Sequence, residues 1–148
     1  MNASTMTPAD HIADLENVLA GIDRRIATAD MYIGQIERGG TIKAHQWAVV
    51  SSLHIDRMAF SIPTGGTGTP FAVGMRDMPT LWERATAEEI AAVFNVELGL
   101  GAIETLRIVH ESEWWPAHRA ELVKARDCAT NAIERLRSIA HMHPIAAN

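Results

Sequence analysis

Between Thr7-Pro8 and Gly39-Gly40 the chain places an apolar residue at every third or fourth position: Ile12, Leu15, Leu19, Ile22, Ile26, Ala29, Ile33 and Ile36. Those steps hold one apolar stripe on one side of an α-helix for more than three heptads, a period no strand shares. Thr7 is a suitable N-cap, Pro8 fits the first helical position where an N–H is not needed, and Asp10 sets a negative charge near the positive end of the helix dipole. The two glycines then supply backbone freedom that a helix disfavours. The spacing predicts a helix of about 30 residues, ~45 Å long at 1.5 Å per residue, with a stripe that some other element must cover.

The rest of the chain reads as more helix. Thr41 caps a second helix running to about Ile62 before Pro63, with a seam of Ala44, Ala48, Ser51, Ile55, Met58 and Ile62. The short two-glycine turn folds it back antiparallel on the first. Residues 63–79 break the pattern with Pro63, three glycines and Pro70, and form a long connecting loop. Thr86 and Glu89 have capping-box spacing and open a third helix from Ala87 to about Glu113. That segment is apolar on nearly every side, with Gly99 and Gly101 tolerated for close packing. A fourth helix follows Pro116 from about Ala117 to His141, with a thin, alanine-rich seam: Leu122, Ala125, Ala129, Ala132, Leu136 and Ile139. The expected fold is therefore all-α, a four-helix bundle made of two antiparallel helical hairpins joined by a long Gly/Pro-containing loop. Residues 1–148 form a single helical domain, with 1–6 and 144–148 disordered.

Composition removes several function classes. A net charge of −5 disfavours wholesale binding to nucleic acid or to an anionic membrane. Cys128, the only cysteine, excludes an internal disulfide framework and any cysteine-based zinc site. No basic residue precedes an apolar run at the N-terminus, and no uncharged apolar stretch reaches the roughly 18 residues of a membrane span, so the chain reads as soluble and cytoplasmic.

Few residues have a spacing that chemistry would need. A di-iron bundle needs Glu-x-x-His on two helices, and that motif does not occur, nor does His-Glu-x-x-His. The glycines at 65, 66 and 68 lack the Gly-Lys-Ser/Thr ending of a phosphate cradle. Glu97, Glu104 and Glu111 recur every seven residues, which on a continuous third helix forms one acidic stripe, read as a solvated face. A metal or acid/base site is the alternative reading. It uses His110, Glu113 and His118 near the third-to-fourth helix connection, completed by His54 from the second helix. The leading expectation is non-enzymatic. Phe71, Trp82, Trp114 and Trp115 lie on the loop and near helix ends, where tryptophan commonly anchors interfaces. They are read as a partner-binding surface of an assembly, adaptor or inhibitor component that takes a protein partner or a second copy of itself. No cofactor, nucleic acid or membrane is implied.

Overall fold

The computed structural model describes residues 6–39, 44–62 and 71–142. Its elements run α1 (Pro8–Glu37), β1 (Trp47–Ser51), β2 (Arg57–Ser61), β3 (Phe71–Met75), α2 (Arg84–Val96), β4 (Leu106–His110) and α3 (Glu111–Met142). Among the described residues, three helices and one four-stranded antiparallel sheet make this an α+β protein, not an all-α four-helix bundle. The expectations for residues 1–5, 40–43, 63–70 and 143–148, the Thr41 cap among them, lie outside the described residues. None of the described helices is long and apolar enough to cross a membrane.

The first helix forms as its sequence dictates. Thr7 Oγ1 accepts the Asp10 N–H at 3.2 Å, and the Thr7 N–H donates to the Asp10 carboxylate at 3.0 Å, a reciprocal cap. That contact, chiefly the Thr7 N–H, holds the Asp10 carboxyl below its ordinary range. At the other end Gly39 takes a φ of 70°, a left-handed conformation costly for any side chain, and its N–H closes on the Ile36 carbonyl.

Over its described part, 44–62, the second predicted helix is instead β1, a turn and β2. The third, 87–113, ends at Val96 and gives way to a loop and then β4. Gly99 serves that loop with a φ of 71°, rather than close helix packing. α2 also begins earlier than Thr86: Glu83 stands at its N-cap position and Thr86 lies inside the helix. The fourth helix begins at Glu111, so Pro116 sits within its second turn instead of opening it.

The chain divides into two compact units, Met1–Asp30 with Arg119–Asn148, and Met31–His118. In the first, α1 and α3 run antiparallel. Arg119 pairs with Asp30 at 2.6 Å while Arg137 pairs with Glu16 at 3.8 Å, so position rises along one helix as it falls along the other. Ile22, Ile26 and Leu122 form the centre of the seam between them, with Val123 packed alongside.

The second unit is built on the sheet, in the order β3-β2-β1-β4. β4 pairs with β1 along its whole length, from Trp47 opposite His110 to Ser51 opposite Leu106, and β3 pairs with β2 from Arg57 opposite Met75 to Ser61 opposite Phe71. β1 and β2 meet at Val50 and Met58; nearer its start β1 instead bridges Trp82 at Trp47. α2 covers one face, laying Ala87, Ile90, Ala91 and Phe94 against Val49, Ala59 and Leu106. Residues that alternate with these, Ala48, Val50, Met58 and Val109, are just as buried, as are Trp114, Trp115 and His118 at the start of α3.

Candidate functional site

Two polar networks flank the β1–β2 turn. The first begins at Ser51, the last residue of β1, and Arg57, the first of β2, which the antiparallel register brings side by side. Glu104, in the loop entering β4, reaches both. Its carboxylate accepts Arg57 Nε at 2.5 Å and Nη2 at 3.2 Å, a bidentate pair, and the Ser51 hydroxyl at 2.8 Å. The Arg57 guanidinium, assisted by the Ser51 hydroxyl, holds the Glu104 carboxyl below its ordinary value of 4.5 despite the opposing effect of burial. Glu104 in turn raises the Arg57 pKa.

A pH dependence follows with a definite sign. Because the folded-state pKa of Glu104 is depressed, its contribution is complete above the unfolded value and disappears as pH falls through the folded one. Glu104→Gln is expected to cost about 1.5 kcal/mol at neutral pH, the low end for a charged hydrogen bond because a third of Arg57 remains solvated. In urea unfolding the difference between parent and variant should shrink toward zero below the carboxylate range. A gap that stays constant into strong acid would show that the carboxylate's charge contributes nothing.

The second network joins the turn to α3. Asp56 and His118 share a hydrogen bond of 2.6 Å between Oδ1 and Nδ1, with His118 only 2% exposed. Trp114 lies one helical turn before His118 and stacks on its ring, centroids 4.5 Å apart, while the Trp114 Nε1–H donates to the Ile55 carbonyl at 3.1 Å. Trp115 packs edge-on against both rings and stacks on Tyr32 at 4.5 Å. The Asp56 carboxylate fixes the proton on His118 Nδ1 and orients the ring. So enclosed a ring positions its neighbours and offers no face to a substrate.

The sequence-predicted residues fall in separate places. Trp114 and Trp115 are interior. Phe71 and Trp82 meet edge-on at 5.4 Å beside α2, where Trp82 keeps a buried Nε1–H with no acceptor among the described residues. His110 bonds to Ser112 and approaches Gln46, Glu113 faces Arg107 at 3.7 Å, and His118 is held by Asp56. His54 accepts the Asp56 backbone N–H on its Nδ1. His54 and His118 thus both bond to Asp56, one to its backbone and one to its side chain, but His110 and Glu113 engage other partners. Among the described residues no group of three or more His, Cys, Asp or Glu side chains is placed to hold a metal ion. The acidic stripe is dispersed as well: Glu97 caps α2, Glu104 is buried in its loop, and Glu111 is buried where β4 becomes α3.

No motif marks Ser51, Arg57 or Asp56 as a site, because the first two acquire their roles from strand register and Asp56 from the turn between the strands. Comparison with protein-family models, with curated proteins and with solved structures finds no match.

Proposed function

We propose that the protein is non-enzymatic and acts through protein–protein contact, self-associating through one face of its helical unit. The observation that carries this reading is an exposed strip of small and apolar side chains, interrupted by Asp14 and Arg25 on α1 and by Glu121 on α3. At 100° per residue, Val18, Gly21 and Thr28 lie ~40–120° to one side of Ile22 on α1, and Ala125, Cys128, Ala132 and Ile139 lie ~60–120° to the same rotational side of Leu122 on α3. In an antiparallel pair, equal rotational offsets bring the two strips onto one face. Val18 is 52% exposed there and Ile139 49%. An open groove of about 450 Å³ is lined there by Asn17, Val18, Gly21, Ile22, Arg24, Arg25 and Thr28.

A second copy suits this face by shape and by charge. Acidic residues outnumber basic ones on α1 from 8 to 30, and basic outnumber acidic on α3 from 119 to 142. A two-fold axis through the strip sets the acidic helix of each copy over the basic helix of the other, the self-complementary arrangement of an isologous dimer. The small residues admit close approach of the helices, and covering Val18 and Ile139 adds about 1 kcal/mol each. A cytoplasmic setting belongs to the same reading, since the chain has one cysteine, exposed and unpaired.

Light scattering on the full chain is expected to give about twice the 16.2 kDa chain mass. Joint Val18→Glu and Ile139→Glu substitution should return the chain mass with an unchanged helical circular-dichroism spectrum. A monomeric parent at every concentration, or a dimer indifferent to both glutamates, would sink the proposal.

A further inference from the structure

We propose that the sheet unit binds an extended peptide along the free edge of β3, placing an aliphatic side chain in the cleft between β3 and α2 and a basic side chain against Glu89. Among the described residues the strand order leaves β3 with β2 as its one strand neighbour. All five of its residues pair with β2 in unbroken register, so the ladder is regular up to that edge, and the outward backbone groups have the spacing a further strand requires. Phe-Ala-Val-Gly-Met carries no lysine, proline or bulge of the kind that blunts strand edges.

Beside this edge lies a cleft of about 230 Å³ lined by Phe71 at the start of β3 and by Thr86, Glu89, Ile90 and Val93 of α2. Its walls are mainly apolar, and Val93 is left 39% exposed. Strand addition beside a helix supplies affinity through the main chain and specificity through a side-chain pocket, and this geometry offers both. Glu89 sets the charge of the occupant. Neighbouring Glu88 is neutralised by Arg84, whereas Glu89 has no cationic partner among the described residues. An aliphatic residue two positions from Lys or Arg projects both side chains to one side of an extended chain, matching the cleft and the carboxylate together.

The test is an NMR titration of the ¹⁵N-labelled full chain with the blocked hexapeptide acetyl-Ser-Val-Thr-Lys-Thr-Ser-amide. Amide shifts are expected at Ala72, Val73 and Gly74 on the edge and at Ile90 and Val93 on α2. Filling the cleft by Val93→Trp should weaken binding about tenfold, a reasonable loss for one displaced anchor. Glu89→Lys should weaken it similarly and transfer the preference to the peptide carrying Glu in place of Lys. N-methylation of alternate peptide nitrogens should abolish binding, because it removes the ladder donors. No shifts up to millimolar peptide, or equal binding by the N-methylated peptide, overturns the proposal. So would β3 shifts that appear on concentrating the protein without peptide, which would assign the edge to a second copy.

Discussion

Trp114→Ala is expected to cost about 3–5 kcal/mol and to leave much of the population unfolded where the parent chain is folded. The side chain is fully buried, stacks on His118, meets Trp115 edge-on at 4.8 Å and ties the start of α3 to the β1–β2 turn through Ile55. Truncation removes all of this at once, and neither ring beside it can collapse into the gap without breaking its own contacts. Trp114→Phe keeps an aromatic surface over His118 but loses volume and the bond to Ile55, so its cost should be about 2 kcal/mol. Urea unfolding followed by tryptophan emission and by far-ultraviolet circular dichroism measures both. An alanine variant with an unmoved midpoint would mean that Trp114 is not a keystone of the sheet unit.

The same residue shows why an interface reading of the tryptophans was reasonable from sequence. Trp114-Trp115 falls just before Pro116, and a helix beginning after that proline would strand both rings at an exposed end. Because α3 begins at Glu111, the rings occupy its first turns and turn inward. Moving a helix start by six residues converted a surface into a core.

α1 was legible almost to the residue because every signal on it agrees: the cap, the proline, the unbroken seam and the terminal glycine. Its seam residues are all buried or half-buried. The strands were hidden for a specific reason. Ala48, Val49 and Val50 are consecutive and all fully buried, so β1 is covered on both faces and lacks the alternation by which a half-exposed strand declares itself. Met58 and Ala59 repeat this in β2. With the alternation gone, the three-and-four spacing of Ala48, Ser51, Ile55 and Met58 mimicked a helix. Local composition held the better clue: Trp47, Val49 and Val50 crowd into five residues of strand-favouring type, and Ser51-Ser52 followed by Asp56 reads as turn. β4 was masked by length, since Ile90 to Val109 looked like one apolar helix although Gly99 and Gly101 marked its true interruption. The polar networks were out of reach altogether, because Ser51 and Glu104 are 53 residues apart in sequence and His118 lies 62 from Asp56.

Asp56→Ala is the sharper probe of that second network, with an expected loss of about 2 kcal/mol. The backbone of Asp56 is already committed: its N–H donates to His54 Nδ1 at 3.0 Å, and its carbonyl accepts the Arg76 N–H at 2.9 Å. Neither bond involves the carboxylate, so the alanine variant retains the turn and removes only the acceptor for His118. The imidazole N–H is then left unpaired in a site nearly closed to water, which is costlier than the hydrogen bond itself was favourable. Asp56→Asn keeps one carbonyl oxygen within reach of Nδ1 and should lose about half as much. Trp114 and Asp56 both act on the same ring, one by stacking and one by hydrogen bonding, so their effects should not add. A cycle of Asp56→Ala with Trp114→Phe is expected to show a coupling above about 0.5 kcal/mol. Equal losses in the alanine and asparagine variants would show that the carboxylate contributes something other than the bond to His118. Additive losses would show that Trp114 and Asp56 hold their surroundings independently, and the corner between the β1–β2 turn and α3 would then be two contacts, not one network.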